Sequence, residues 1–421
     1  MALSLLSSSS RVETPFIIVE IAGETFGLYT KSAREQLNNL GYSSKVASTF
    51  PNYMRSLTVD KINGTVNTYT LTMIYAIKPG DDPNLLEKVF SKISEDRTMK
   101  ISYGDMSMPS YIYREEEVII TDIKSDINID SSLITYSISC TSKSLSLTAG
   151  TYSFPRVIAK PSDIIKKILF DVKYGVQEVF YGMRDKEKVL SRGLIVSDDK
   201  QVTIEAKKNI SVFDYLSYLV SCMSDKITSD SILIRTSKYS LVTYDDITNQ
   251  WGGPYFKVVK ASSNIQENTL DTYEINIGFP GQNMVTSFKL DDNQMWSILY
   301  NYSGQINQPK YIYKINNQGE IESEYSPTLA KSNELLKTTE ADKTWWTKVT
   351  QFPISGTLVI KGLLRPAILM TYIKLNVLFY GQRHISSGYY IVTKQTDTID
   401  FNGYKTTLKL TRIRGTSIND Y

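Results

Sequence analysis

The sequence predicts a mainly β protein: two barrel-like or sandwich-like β domains, each with a flanking helix, plus a small α+β domain. Three observations support this class. The chain contains 29 tyrosines, 14 phenylalanines and 4 tryptophans, so that 11% of its residues are aromatic. Most of these aromatic residues stand among Thr, Ser, Ile and Val. Such residues suit the pleated, half-buried surface of a sheet. Alternation of apolar and polar residues recurs near both ends, and helical patterns fall between them.

The first part of the chain, 1–154, is predicted to form one β domain. Phe16 to Ile21 is a strand, and two strongly alternating strands follow at Leu57 to Ile62 and Asn67 to Ile77. Asn63-Gly64 between them favours a hairpin turn. On the second hairpin strand Tyr69, Leu71, Met73, Tyr75 and Ile77 share one face, and Thr68, Thr70 and Thr72 share the other.

A helix is predicted after this hairpin. Asp82 is its expected N-cap and Pro83 its first residue, where the missing N–H costs nothing. Its apolar face consists of Leu85, Leu86, Val89, Phe90 and Ile93. Further strands are expected at Lys100 to Tyr103, Glu117 to Ile123 and Leu133 to Thr141.

The middle of the chain, 155–255, is predicted to be a small α+β domain that begins at the proline-flanked stretch Pro155 to Pro161. Ser162 is expected to cap a helix whose inner face consists of Ile164, Ile165, Ile168, Leu169 and Val172. Ser211 is expected to start a second helix with Val212, Leu216, Leu219 and Met223 on one face. Short strands are predicted at Val202 to Ile204, Ile232 to Ile234 and Leu241 to Tyr244.

The second β domain is predicted from two separate segments, 256–302 and 351–421. Its expected strands are Tyr273 to Ile277, Val285 to Leu290, Gly356 to Ile360, Tyr389 to Lys394 and Thr406 to Arg412. Met295 to Tyr300 is a short helix candidate. The polar, weakly periodic stretch 303–350 is predicted to be a peripheral loop or insertion. Strand-rich parts on both sides of a mixed domain indicate a duplication at the level of the fold.

The composition provides few groups for chemistry. Lys+Arg 47 against Asp+Glu 44 gives a net charge of +3, which argues against binding nucleic acid by bulk charge. The single histidine, His384, excludes a multi-histidine metal site and is expected on the surface. Cys140 and Cys222 match no metal spacing and are expected to be buried. We therefore predict no catalytic residues, no cofactor and no metal.

Acidic clusters do not change this prediction. Asp198-Asp199, Asp245-Asp246 and Asp291-Asp292 border turn candidates and are expected in solvated turns. Asp122, Asp126 and Asp130 share a strand face but lack the Gly and closing Glu of an EF-hand loop.

Several short segments together resemble one family. They are Phe50-Pro51-Asn52, Val59 to Gly64, Asn67 to Leu71, Gly80 to Asn84, Tyr103-Gly104-Asp105, Ile119 to Asp122, Gly356 to Gly362, Gly388 to Val392 and Gly403 to Leu408. These segments are similar to baseplate hub proteins of long-tailed bacteriophages and to the hub part of type VI secretion spikes. The similarity covers both ends and, more loosely, the middle.

The resemblance implies a function without chemistry. Hub proteins carry two tail-tube-like β domains, and three chains form a ring that joins the six-fold tail tube to the three-fold central spike. The implied partners are two further copies, the tail tube ring, the spike, the tape measure protein, other baseplate proteins and DNA in transit, with no stable membrane insertion. The implied location is the virion tail baseplate, after synthesis in the bacterial cytoplasm.

The same resemblance suggests where a channel would lie. Thr68, Thr70 and Thr72 are candidates to line it, and a non-adhesive lumen is expected to carry little positive charge. Two alternatives remain: a carbohydrate-binding tail adhesin that uses aromatic clusters such as Trp345-Trp346, and a cell-wall hydrolase that uses two carboxylates.

Overall fold

A computed structural model describes the greater part of the chain. The described residues are 15–29, 49–51, 53–62, 64–95, 97–105, 114–128, 130–176, 199–223, 239–244, 255–260, 269–277, 285–292, 311–315, 321–325, 354–361, 369, 372–384 and 386–415. Strands dominate them, so the predicted mainly β class is confirmed. None of the described helices has the length and apolarity needed to cross a membrane.

The elements are numbered in chain order. The strands before the first helix are β1 (Pro15–Ile21), β2 (Glu24–Tyr29), β3 (Thr49–Pro51), β4 (Met54–Ile62) and β5 (Thr68–Ala76). Helix α1 (Leu85–Phe90) follows, then β6 (Thr98–Asp105), β7 (Arg114–Asn128) and β8 (Leu133–Ser142). The middle part contains β9 (Thr151–Phe154), β10 (Val157–Ala159), α2 (Pro161–Phe170), β11 (Val202–Ile204), β12 (Lys207–Ser211), α3 (Val212–Cys222), β13 (Tyr239–Tyr244) and β14 (Tyr255–Lys260). The last part contains β15 (Thr269–Ile277), β16 (Val285–Asp292), β17 (Tyr311–Ile315), β18 (Ile321–Tyr325), β19 (Ile354–Lys361), β20 (Tyr372–Phe379), β21 (Gln382–Arg383), β22 (Gly388–Asp400) and β23 (Gly403–Gly415).

Fifteen of these strands form one sheet that contains strands from both the first and the last parts of the described chain. Its main order is β16-β19-β23-β22-β4-β5-β8-β7-β6-β1-β2-β3, and β20 joins β22 to β15 on a side branch. The two ends meet where β22 pairs antiparallel with β4, from Lys394 opposite Ile62 to Asp400 opposite Ser56. The predicted hairpin of β4 and β5 is confirmed, and Gly64 in its turn has a φ of 70°.

The sheet consists of two units with the same strand arrangement. In unit 1 the spatial order is β4-β5-β8-β7-β6-β1, and in unit 2 it is β16-β19-β23-β22-β20-β15. The strands also follow one another in the same chain order in both units. All neighbours are antiparallel except β15 and β20, which are parallel, whereas β1 and β6 are antiparallel. This is the duplication that the sequence suggested.

The irregularities of the two units also coincide. β7 is bulged between Ile120 and Asp122, and β22 is bulged between Val392 and Lys394. The bulged residue is a threonine in each: Thr121 Oγ1 donates to the Ser139 carbonyl at 2.9 Å, and Thr393 Oγ1 donates to the Lys409 carbonyl at 3.2 Å. β4 and β16 carry matching bulges after Met54 and Val285. Because a bulge fixes register and local twist, these pairs align the two units residue by residue.

Three cores lie beneath these elements. The first contains residues of β1, β2, β4 to β8 and α1, together with Ile399 and Tyr404 from the last part of the chain. The second is formed mainly by α2 and α3, and the third lies in unit 2. The domain boundaries that we predicted remain predictions. The flanking helix expected for the second β domain also remains a prediction, since the helix candidate in this part of the chain, Met295 to Tyr300, is outside the described residues.

Helix starts differ from the sequence prediction at two positions. α1 begins at Leu85 with Asn84 as N-cap, and Asp82 instead accepts a hydrogen bond from the Asn84 backbone N–H at 2.9 Å. α2 begins at Pro161, so Ser162 lies inside the helix and Lys160 is the N-cap. Both predictions correctly placed a polar residue near the start of a helix but gave it the wrong position relative to the first helical residue. The neighbouring proline is compatible with more than one helix start, so the sequence pattern alone does not fix it.

Other departures concern single residues and strands. Val172, predicted on the inner face of α2, is 74% exposed because the helix ends at Phe170. The stretch 303–350, predicted as a loop, contains the antiparallel pair β17 and β18. β20 was not predicted as a strand. The predictions for Met295 to Tyr300 and Ile232 to Ile234 concern segments outside the described residues.

Candidate functional site: a polar face across the sheet

The three threonines singled out in the sequence lie together on β5. Thr68 and Thr70 are exposed and Thr72 is half-buried. The residues between them, Tyr69 and Leu71, are no more than 1% exposed and belong to the first core. The predicted alternation is therefore confirmed, whereas the assignment of these threonines to a channel remains a prediction.

Neighbouring strands extend this surface, which we call the polar face. Residues directly opposite each other in a sheet project to the same side. In unit 1 the register aligns the threonines with small hydroxyl or acidic residues of β4 and β8. These residues are Ser56, Thr58, Asp60, Ser137 and Ser139.

The polar face crosses the junction of the two units. Lys394 Nζ of β22 lies 2.9 Å from Asp60 Oδ1 of β4, and Thr396 Oγ1 donates to the same carboxylate oxygen. Further along, the register aligns residues of β22, β23, β19 and β16 on the same side. These residues are Thr398, Asp400, Lys405, Thr407, Lys409, Thr357, Val359, Lys361, Ser287 and Lys289.

Charge is distributed unevenly over the polar face. In unit 1 the residues of β5 and β8 on this side are mainly hydroxyl-bearing. In unit 2, Lys289, Lys405 and Lys409 are exposed and Lys361 is half-buried on the same side. The expectation of a channel wall with little positive charge remains a prediction. On the polar face itself, positive charge is low in the β5 and β8 part and higher in the β19 and β23 part. The reason is that β19 and β23 alternate Lys with Thr where β5 and β8 use Thr and Ser.

Beneath the junction, a buried ion pair links strands that are not neighbours in the sheet. Lys61 Nζ of β4 lies 2.6 Å from Glu116 Oε1 of β7, and their side chains are 4% and 1% exposed. Tyr103 of β6 donates its hydroxyl to Glu116 Oε2 at 3.2 Å. Because β5 and β8 separate β4 from β7 in the sheet, this contact crosses the curled sheet. A buried charge is tolerated only when paired, so the pair fixes how the sheet closes over the first core.

A second buried polar group lies on β22 and β23, next to this ion pair. Gln395 Nε2 donates to Asp397 Oδ2 at 2.8 Å, and Thr406 Oγ1 donates to Asp397 Oδ1 at 2.5 Å. All three side chains are 0% exposed. Gln395 opposes Lys61 in the register of β22 and β4, so both polar groups lie under the junction.

These buried polar residues were not predicted, although the sequence pattern indicates them. Lys61 has the same parity along β4 as Leu57 and Val59, and Asp397 has the same parity along β22 as Ile399. A charged residue at an inward position of an alternating strand indicates a buried partner. The identity of that partner depends on long-range register and cannot be obtained from local pattern.

Asp199 corrects a sequence prediction. It was expected in a solvated turn, but it is 4% exposed. Its two carboxylate oxygens accept the Ser162 backbone N–H at 2.8 Å and the Ser162 hydroxyl at 2.6 Å. The carboxylate thus satisfies a free N–H group in the first turn of α2, where negative charge is favoured by the helix dipole. Asp198 and Asp245-Asp246 lie outside the described residues.

The other candidate groups have ordinary environments. Burial raises the pKa of the Cys140 thiol to about 12, as expected for a buried, unreactive cysteine. His384 is exposed, and its Nδ1 lies 2.8 Å from the Ser386 hydroxyl. Asp122 lies 3.2 Å from Lys124 Nζ. Within the described ranges no three His, Cys, Asp or Glu residues group as a metal site would require.

Comparisons with known proteins gave structural similarities only. Neither a protein-family model nor a curated protein sequence matches the chain. A tail protein from Neisseria meningitidis matches with a TM-score of 0.47 and 8% identity, over 94% of this chain and 96% of that one. A 43 kDa tail protein of prophage MuSo2 from Shewanella oneidensis matches with a TM-score of 0.47 and 10% identity, over 95% and 97%. An E. coli component of the type VI secretion system matches with a TM-score of 0.41 and 7% identity, over 85% and 73%.

Proposed function

We propose that the chain is a structural baseplate hub protein of a phage tail. Three copies form a ring with a central channel that joins the tail tube to the central spike. The tape measure protein and DNA pass through this channel. The role is mechanical, and the proposal assigns the chain no catalysis and no cofactor.

One observation carries the proposal: β22 pairs with β4, so that two units of the same strand order lie side by side in a single sheet. A chain built in this way supplies two similar wall segments. Three such chains supply six, which would match a six-fold tube on one side and a three-fold spike on the other. The sequence resemblance points to the same arrangement.

The polar face is the proposed channel wall. Thr68, Thr70 and Thr72 present small hydroxyl groups, which give a hydrated surface without large apolar contacts for a passing polymer. The core and α1 lie on the other side of unit 1. The lysines of β19 and β23 make this wall more basic than a purely hydroxyl surface, so contact with DNA in transit should be weak and salt-dependent.

The remaining partners and the location follow from this role. The two rims of the ring would contact the tail tube ring and the spike, and the peripheral stretch 303–350 would contact other baseplate proteins. The protein would be made in the host cytoplasm and assembled into the virion tail.

Light scattering after gel filtration tests the proposal on the full chain. A mass near three times 47.7 kDa is expected. A monomer that binds glycans would favour the tail adhesin instead. A monomer that clears peptidoglycan in a zymogram would favour the hydrolase.

A further inference from the structure

The two units differ in what lies beside their equivalent strands. In unit 2, the Lys394–Asp400 half of β22 pairs with β23 on one side and with β4 on the other. In unit 1, the equivalent half of β7, Asp122–Asn128, pairs with β8 alone among the described strands. β4 pairs on both sides, whereas its equivalent β16 pairs with β19 alone among the described strands. Among the described strands, the Asp122–Asn128 half of β7 and the strand β16 each therefore have one edge without a pairing strand, which we call open edges.

Apolar side chains lie on these edges and are more exposed than their equivalents at the internal junction. Ile399 of β22 is 0% exposed, but its equivalent on β7, Ile127, is 66% exposed. On the partner strands, Leu57 of β4 is 0% exposed, and its equivalent Phe288 of β16 is half-buried. A large apolar side chain on an open strand edge is an aggregation risk unless another strand covers it.

The internal junction supplies a register for the missing contact. At that junction Ile399 opposes Leu57, and Asp400 opposes Ser56. The matching bulges align Thr121 with Thr393 and Ser287 with Ser56. Transferred to the open edges, the register places Ile127 opposite Phe288.

The transferred register also matches charges. It places Asp126 opposite Lys289 and Lys124 opposite Asp291. Lys124, Asp126 and Lys289 are exposed on their strands. Opposite charges directly across an antiparallel pair are stabilising, and like charges are destabilising. A shift of one residue would put the apolar pair on different faces of the sheet.

We propose that β16 of one chain pairs antiparallel with Asp122–Asn128 of β7 of a second copy, in the register that β4 and β22 use within the chain. The contact is head-to-tail, since each copy contributes a different edge, and such contacts close into a ring when the rotation permits. This inference rests on the proposed function and names the surface through which its ring would form.

A cysteine pair tests the register directly. In the full chain, Ile127→Cys with Phe288→Cys should give intermolecular disulfides under mild oxidation, because directly opposed antiparallel residues have the required Cα separation. Ile127→Cys with Ser287→Cys is the matched control, since residue 287 projects to the other face. The wild-type chain, with Cys140 and Cys222 only, controls for the native thiols. Equal cross-linking of the pair and of the control would overturn the proposal.

Charge exchange provides a second test that leaves net charge unchanged. The double variant Lys124→Asp with Asp126→Lys places like charges opposite each other in both pairs across the contact, 124 with 291 and 126 with 289. The double variant Lys289→Asp with Asp291→Lys does the same from the other strand. Each double variant should weaken self-association roughly tenfold, and the four-fold variant should restore it. Circular dichroism confirms that each variant is folded.

The outcomes separate this inference from the proposed function. Oligomers that resist charge exchange and do not cross-link at 127 and 288 overturn the interface and leave the hub proposal intact. Cross-linked rings of a number other than three support the interface and contradict the trimeric hub. Folded monomers without cross-links contradict both.

Discussion

Lys61→Met is expected to destabilise the junction of the two units strongly. The substitution removes the ammonium group 2.6 Å from Glu116 and leaves that carboxylate charged in a site where it is 1% exposed. Removing one partner of a buried ion pair costs about 3–5 kcal/mol, because the remaining carboxylate loses its ammonium partner while it stays shielded from water. The equilibrium constant for local opening should therefore rise between about a hundredfold and several thousandfold.

The double variant Lys61→Met with Glu116→Gln separates this cause from lost packing. The glutamine amide is neutral and its oxygen still accepts the Tyr103 hydroxyl, so no charge is left buried. We expect the double variant to lie within about 1–2 kcal/mol of the wild type, and thus to be more stable than Lys61→Met alone.

Hydrogen exchange of β4 and β7 amides is the assay, because it reports local opening without requiring two-state unfolding of the whole chain. Lys88→Met is the matched control: Lys88 lies 2.5 Å from Asp82, but its side chain is 65% exposed, and we expect no measurable change. Exchange in Lys61→Met as slow as in the wild type would show that loss of the ion pair does not destabilise the junction. A double variant as unstable as Lys61→Met would show that the buried Glu116 charge is not the cause.

Three further predictions concern other parts of the molecule. Asp199→Ala should destabilise α2 by about 1–2 kcal/mol, because Ser162 loses the acceptor for its backbone N–H and hydroxyl; thermal unfolding followed by circular dichroism measures this. Cys140 should resist alkylation at pH 8 in the folded protein and react quickly in denaturant, because burial raises its pKa to about 12 and leaves little thiolate; mass spectrometry measures the rate. The free energy of unfolding should fall as the pH rises above about 10. Burial raises the pKa of Tyr215 to about 12 in the folded protein, whereas the unfolded side chain ionises near its ordinary value, so the unfolded state loses its proton first. Urea unfolding at several pH values measures this.

Each of these predictions has a specific contradiction. Asp199→Asn retains one acceptor oxygen and should lose less than Asp199→Ala; equal loss would contradict a capping role. Rapid alkylation of native Cys140 would contradict its burial. Unchanged stability from pH 9 to pH 12 would contradict the assignment of Tyr215 to the buried stack with Phe154, whose ring centroid lies 3.6 Å away.

The sequence was sufficient where local pattern determines structure. The alternation of β5 predicted which side chains enter the core, because side chains of a strand project to opposite faces in turn. Ser211 was predicted to start the second helix, and it is the N-cap of α3, where its hydroxyl accepts the Asp214 N–H at 3.0 Å. In both cases the interacting groups are near neighbours in the chain.

Features that depend on distant residues were not predictable in this way. Asp199 lies 37 residues from the helix that it stabilises, and nothing in its neighbourhood indicates Ser162 as a partner. β20 was missed because its apolar residues continue those before it, a pattern that a buried helix segment shares. The pairing of β22 with β4 joins residues more than 300 positions apart and became visible only in the fold.

The candidate channel surface was predictable only in part. The sequence identified Thr68, Thr70 and Thr72 as one strand face, and the structure confirms that face. The sequence pattern did not predict that lysines of unit 2 lie on the same side, because this requires knowing that β19 and β23 belong to the same sheet as β5.

The most direct test of the account is electron microscopy of the full chain stabilised by disulfides between Ile127→Cys and Phe288→Cys. We predict a ring of three chains with a central opening, in which six similar units are joined alternately by the β22–β4 junction and the β7–β16 contact. Two-fold particles, open filaments, or rings in which the β7 edge faces solvent would contradict it.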